Sequence, residues 1–290
     1  MRQAAVIDIG SNSIRYACGS LLNGRLQMEK KQVETTRLVQ GMQPGGNLEE
    51  VPMMRTLWAV ERFAADAREK DIPIYAYATS AVRDSANRAA FCRRVEELGV
   101  EMEILSGEEE ASLALLGASG GRGGLLDIGG GSTELIRGDF VYSAPIGCVR
   151  GRDMCMEAHD LEGMRRIIFT RCRDCLRFPP EKGEDYTGVG GTITTVAALM
   201  LGLSAYDGEK VAAMPICHTA LDELIEWLYQ LGEAGRRAHP LLRERWDTIL
   251  PGALILAFLQ ARLGIGELRV SDRDGMEGYL LKRLGQAPLP

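Results

Sequence analysis

"GGLLDIGGGSTELIRGD", residues 123–139, sets three consecutive glycines between an apolar run and the polar trio Ser132, Thr133 and Glu134. An apolar run closing on Asp-Ile-Gly reads as a buried strand that stops at a corner. Glycines at such a corner accept positive φ and let backbone N–H groups approach an anion with no Cβ in the way. Ser132 and Thr133 add hydroxyl donors, so the corner suits a phosphoryl group. Taken alone, one such turn reads better as an ordinary Gly-rich hairpin. The N-terminal stretch "AAVIDIGSNSIRYACG", residues 4–19, however, opens the same way, and "GVGGTIT", residues 188–194, is a third turn of the kind. Three together favour a phosphate site. Asp8 and Asp127 end the two matched strands. A carboxylate there repels phosphate but can hold a divalent cation or a water that contacts it.

Outward from these turns, the chain alternates strand and helix patterns. Ala4 to Ile9 and Ile14 to Leu22 read as strands, and Leu26 to Glu34 extends the meander. Val51 to Lys70 carries Leu57, Val60, Phe63, Ala64 and Ala67 at helical spacing. "IPIYAYAT" and "VEMEILS" read as strands, while residues 87–98 and 108–116 read as helices. This order predicts an α/β sheet. "GASGGRGG", residues 117–124, is the clearest composition break and the expected domain boundary, giving domains 1–120 and 121–290, the last helix free to pack back on the first. Beyond it come strand, glycine turn and strand again, "FVYSAPIG" continuing the sheet, and a charged helix over Leu161 to Phe178. Then strand, turn and helix recur at residues 186–203 and 268–285. Asp8 and Asp127 lie 119 residues apart, a spacing of two similar domains rather than of a solenoid.

Composition narrows the function classes. The 290 residues, 46% hydrophobic and 26% charged, can bury a sizeable core and fill two domains. The longest apolar run, Ile249 to Leu259, is too short to span a bilayer and contains Pro251 and Gly252, and no leader pattern precedes the strand that begins at Ala4. Neither a membrane protein nor a secreted one is expected. Seven cysteines, an odd number, fit reduced thiols in a cytoplasm. A formal charge of −6 argues against a nucleic-acid partner, so an anionic ligand would need local cations or backbone dipoles.

The set "DIGSNSIR", "ATSAVRD", "ILSGEEEA", "LLDIGGGSTELI", "PIGCVR", "GVGGTITTVAAL" and "VSDRDGMEGYL" resembles the exopolyphosphatase and guanosine pentaphosphate phosphohydrolase (Ppx/GppA) family, in family order and over nearly the whole chain. The resemblance implies two ribonuclease H-like domains of the actin and sugar-kinase superfamily, with the active-site cleft between them, in the short two-domain form. It implies a phosphohydrolase that releases terminal phosphate from polyphosphate, from the guanosine alarmone, or from both, with Mg2+ or another divalent cation. By the same resemblance Glu110, last of the run Glu108, Glu109 and Glu110, is the base that activates water. A register shift would move that role to a neighbour. Asp127 and Glu134 become catalytic and metal-binding residues. Ser11, Asn12, Ser13, Arg83, Gly129, Gly130 and Ser132 become phosphate contacts. Arg15, Arg245, Gly190, Gly191 and Thr192 fall to the nucleotide or the polyphosphate tail. A homodimer is compatible with this pattern.

Two departures bear on substrate choice. "DGMEGY" carries Met276 and Glu277 and lacks the arginine usual there, and "RERWD" places Trp246 where a small residue is usual. The alternatives are a superfamily kinase that uses ATP, supported by the "GVGGTITTVAAL" turn, and an alarmone-binding sensor with little turnover. Elsewhere the reading is plain. Cys172 and Cys175 form a lone CxxC without a second pair at metal spacing. His159, His218 and His239 are scattered. Arg165, Arg166, Arg173 and Arg177 read as the solvated face of a helix, with a polyphosphate track as the lesser reading.

Overall fold

The computed structural model describes residues 2–22, 25–43, 45–138, 140–176, 185–212 and 214–285. They fall into two units, one running to Gly120 and resumed from Gly275, the other spanning Gly121–Asp274.

In the first unit, β1 (Arg2–Ile9) and β2 (Ile14–Leu22) form an antiparallel hairpin whose last pair is Ile9 opposite Ile14. Strand β1 is buried from Ala4 onward, as an uninterrupted apolar run requires, since a strand covered on both faces cannot alternate with polar residues. Strands β3 (Arg25–Met28) and β4 (Gln32–Glu34) both pair with β2, so the meander expected over Leu26 to Glu34 exists as two short pieces. Helix α1 (Glu50–Glu69) follows and buries Met53, Leu57, Val60, Ala64 and Ala67, a stripe at steps of three and four residues. Strand β5 (Ile74–Ala78) then runs parallel to β1. The short helix α2 (Ser80–Arg83) and α3 (Arg88–Glu96) lead to β6 (Glu101–Ile104), parallel to β5. Helix α4 (Gly107–Ser119) is cut sharply at both ends. Ser106 and Glu109 form a reciprocal capping box at its start, and Gly120 at φ 65° closes it in the left-handed conformation.

The second unit starts over. Strands β7 (Gly124–Ile128), β8 (Thr133–Arg137) and β9 (Phe140–Ala144) form a second antiparallel meander. The strand expected over "FVYSAPIG" stops at Ala144, and "PIGCVR" leaves the sheet and enters helix α5 (Cys148–Met154). Helix α6 (Leu161–Cys175) is followed by β10 (Tyr186–Val189), parallel to β7, and then α7 (Gly190–Met200). Phe178, the expected end of α6, lies outside the described residues. Helix α8 (Gly208–Ala212), β11 (Ile216–Cys217), α9 (His218–Gln230), α10 (Gly232–Ala238), α11 (Ile249–Leu263) and β12 (Glu267–Val270) complete the unit. The apolar run flagged at Ile249 is buried on every face, as expected of a helix at the centre of a core. Pro251 is tolerated in its first turn, where its missing N–H would have no intrahelical partner.

The two sheets repeat one plan. Their orders are β3-β2-β1-β5-β6 and β9-β8-β7-β10-β12, each an antiparallel meander with parallel strands beyond it; β4 is extra in the first and β11 in the second. Helix α12 (Gly275–Arg283) belongs to the first unit and lies on α4. Met276, Tyr279, Leu280 and Leu284 complete a core layer with Ala4, Val6, Ala17, Leu105 and Leu113. Truncation of such a residue to Ala costs about 2–5 kcal/mol. Gly278 permits the approach of the helices, because a Cβ there would stand 1.9 Å from the carbonyl oxygen of Leu113.

Candidate active site

The first unit gathers its chemistry around the β1–β2 turn. Gly10 N–H donates to the Ser13 carbonyl (3.1 Å), and the carbonyls of Ser11 and Asn12 accept from Val39 (3.3 Å) and Arg37 (2.8 Å), so two carbonyls of the turn are spent on the neighbouring loop. The Ser11 hydroxyl lies 3.0 Å from that of Ser80, both buried, and Asn12 Nδ2 donates to Ser13 Oγ (3.1 Å). Ser80 opens α2, and Arg83 ends it. Arg83 donates to the Leu105 carbonyl (2.9 Å) and to Glu110 Oε2 (3.4 Å). The three glutamates of "GEEEA" sit differently at the start of α4. Glu109 is engaged in the capping box, its Oε2 accepting from Ser106 N–H (2.8 Å) and its own N–H donating to Ser106 Oγ (3.1 Å). Glu108 is exposed, whereas Glu110 is half-buried against Arg83. Arg15 lies directly across the ladder from Asp8 and holds it with Nε at 2.7 Å and with its NH2 group.

The second unit repeats the turn. Gly129 N–H donates to the Ser132 carbonyl (3.0 Å), and the carbonyls of Gly129 and Gly130 accept from Cys148 and Val149 (2.9 Å each), so the first turn of α5 is docked on the glycines. Gly147 makes this possible: a Cβ there would come within 2.6 Å of the Gly129 and Gly130 backbone. Asp127 stands directly opposite Glu134, and Glu134 Oε1 accepts from Ser143 Oγ (2.8 Å). Asp127 Oδ1 also lies against Gly190, whose φ of +81° and whose missing Cβ, which would fall 2.2 Å away, both require glycine. The Arg245 guanidinium covers Gly191 in the same manner, 2.1 Å from where a Cβ would be. Thr192 points inward, with its methyl 2.5 Å from a Cβ position at Gly252 and its hydroxyl bonded to Cys148, a thiol that burial pushes up.

Each unit thus assembles its own sequence-predicted residues: Ser11, Asn12, Ser13, Arg15, Arg83 and Glu110 in the first, and Asp127, Gly129, Gly130, Ser132, Glu134, Gly190, Gly191 and Arg245 in the second. Ser80, Ser143 and Gly147 were missed as positioning residues. The signal for two of them was present, since Ser80 and Gly147 lie inside "ATSAVRD" and "PIGCVR". Both departures are absorbed by packing. Glu277 is buried in an ion pair with Lys31 (3.1 Å), and Trp246 lies under the Arg237 guanidinium (3.7 Å to the ring centroid). Arg165 is tied to Asp222 (3.0 Å) and Glu226 (3.7 Å), which takes one member from the expected arginine face; Arg177 lies outside the described residues.

Two carboxylates facing each other across a ladder, ~4.5–5.5 Å apart at Cβ, suit an Mg2+ that completes its shell with water and substrate oxygens. Among the described residues no group of three or more His, Cys, Asp or Glu could hold a metal unaided.

The family model described as the Ppx/GppA phosphatase family matches residues 20–287. The chain belongs to the Ppx/GppA phosphatase family. It is 30% identical to exopolyphosphatase 2 of Mycobacterium tuberculosis over 98% of this chain and 99% of that one. Among solved structures, the Ppx/GppA family member of Aquifex aeolicus matches with a TM-score of 0.78 at 26% identity, over 98% of this chain and 97% of that one. An exopolyphosphatase from Cytophaga hutchinsonii matches in fold, with a TM-score of 0.87 at 23% identity over 99% of each chain. The fold is that of the solved Ppx/GppA structures, and the Ppx/GppA chain is a phosphoanhydride hydrolase. Among its described residues no helix is long and apolar enough to cross a membrane, and its seven cysteines are free thiols.

Proposed function

We propose that this protein releases the terminal phosphate of inorganic polyphosphate, of guanosine pentaphosphate, or of both, with Glu110 as the base. The observation that carries the reading is the division of labour in α4, where Glu109 is engaged in capping and Glu110 is left facing Arg83. Hydrolysis of a phosphoanhydride needs an oriented water, neutralised equatorial oxygens and fixed dipoles. Glu110 Oε accepts the proton of the attacking water. Arg83 carries five N–H donors, and those beyond its bonds to Leu105 and Glu110 and its Nε pairing with Asp84 (3.7 Å) serve an arriving phosphate. The N–H groups and hydroxyls at Ser11–Ser13 and at Gly129–Ser132 supply dipoles that need no reorganisation. A divalent ion on Asp127 and Glu134 would add charge neutralisation at the phosphoryl oxygens.

Substrate length follows from charge. A long polyanion is gripped by an extended cationic track with salt-sensitive affinity. This chain carries −6 overall and ties Arg165 to carboxylates, which favours short polyphosphates or the alarmone over very long chains. The free thiols fit work in a cytoplasm.

Phosphate release from the purified protein, offered polyphosphate, guanosine pentaphosphate and ATP in parallel with no acceptor, tests the reading. Release from either of the first two supports it. Release only when an acceptor is added would mark a kinase, and tight alarmone binding without release would mark a sensor.

A further inference from the structure

The duplicated turns invite a residue-by-residue comparison of their charges. Both place Asp at the penultimate position of the first strand, both close with a Gly N–H to Ser carbonyl bond, and the 119-residue offset maps Gly10 on Gly129 and Ser13 on Ser132. The same offset maps Arg15 on Glu134. Across from Asp8 stands a guanidinium; across from Asp127 stands a second carboxylate.

We infer that Arg15 is a built-in cation that takes, in the first hairpin, the place a divalent metal takes in the second, so that of the two turns only the Asp127–Glu134 turn binds metal. This rests on the metal reading proposed above and adds a role for Arg15 other than gripping substrate. The Asp8 side chain is only 7% exposed, so its charge requires a counter-charge close by, and two donors of the Arg15 fork converge on its Oδ2. An incoming divalent ion would meet a fixed positive charge within a few ångströms. It would also have to shed water that Mg2+ gives up reluctantly. At Asp127 the register supplies the reverse, two like charges brought together, which a divalent ion relieves.

The test counts bound Mn2+ by the electron paramagnetic resonance signal of the free ion, with the metal alone and no substrate. Wild-type protein and Asp8→Asn should each bind one Mn2+ per chain. Glu134→Arg, which gives the second hairpin the charges of the first, should bind none. Arg15→Glu, which does the reverse, should bind two. Should Arg15→Glu fail to fold by circular dichroism, Arg15→Gln, which introduces no new charge, should still gain a second, weaker site. Two ions on the wild type or a single ion on a folded Arg15→Glu would overturn the assignment of Arg15 while leaving the metal reading standing, whereas loss of the ion in Asp8→Asn would put the metal on the first hairpin and overturn both. A wild type that binds no Mn2+ would overturn both.

Discussion

The β1–β2 and β7–β8 hairpins share a turn and differ in the residue that closes the ladder one step in from it. In the first, Asp8 and Arg15 neutralise each other; in the second, Asp127 and Glu134 add their charges, and Asp127 is wedged against Gly190. The backbone template is therefore no guide to electrostatics. The same turn bond can stand beside an aspartate faced by a guanidinium or by a second carboxylate. The second difference is what each hairpin leans on: the first on α2 through Ser80, the second on α5 through the glycine carbonyls.

The sharpest way to break this comparison lies in the carboxylates, since the proposed base of the first unit, Glu110, lies off the hairpin. Glu110→Gln should lower turnover by about 10²–10⁴-fold with substrate binding retained, the usual size of a general-base contribution. Its neighbour is the control: Glu109→Ala should retain turnover and cost about 0.3–1.5 kcal/mol of stability through the lost cap. A rate for Glu110→Gln within twofold of the parent would move the base to another residue.

Next in size is the internal ion pair. Asp8→Asn removes a charged acceptor from Arg15 and should destabilise the protein by about 1.5–3 kcal/mol in urea denaturation. In chelator-containing buffer that loss should exceed the loss from Asp127→Asn. Equal losses would mean that the two hairpins are electrostatically alike.

A steric probe comes third. Gly278→Ala drives a methyl into the Leu113 carbonyl and should cost about 1–3 kcal/mol by overpacking, with thermal unfolding as the measurement. Because α4 carries Glu110, turnover should fall in the folded variant as well. Wild-type stability would show that α12 yields without strain.

The smallest effect concerns thiols. The Thr219 hydroxyl lowers the Cys217 thiol, whereas burial lifts Cys155 to about 11 and Cys172 to about 12, and lifts Cys18 in the first unit too. At pH 8 iodoacetamide should therefore modify Cys217 first, as peptide mapping by mass spectrometry can show. Cys18 or Cys172 reacting first in folded protein would contradict the burial described for its unit.

Much of this was legible in the chain because its strongest signals are local. The Asp-Ile-Gly turns, the alternation of strand and helix, and the spacing of α1 all depend on neighbours within a few residues. Ser80 against Ser11, and Gly147 against the Gly129–Gly130 backbone, were not legible, since each needs segments 69 or about 17 residues apart to meet and neither side chain announces its partner. The same holds for the pairing of Arg15, to which the family resemblance gave a place at the nucleotide or polyphosphate tail and no partner within the chain. Only the ladder register shows that Asp8 stands opposite it. Helix α10 buries no residue and so leaves no periodic signal, whereas α9 carries Leu221, Leu224, Ile225 and Leu228 at helical spacing and was legible in principle. The end of β9 was placed three residues late because the apolar run continues through Pro145 and Ile146.

Helix α12 carries a consequence for synthesis on the ribosome. The first unit is interrupted after Gly120 and resumed only at Gly275, so the layer formed by Met276, Tyr279 and Leu280 is missing while 154 intervening residues are translated. At about 5–20 residues per second, this leaves α4, with its Glu110, lacking its packing partner for roughly 8–30 s. The nascent chain would pass through this interval with Leu105, Leu113 and Ala4 uncovered, a window in which chaperone binding is expected and hydrolysis is not.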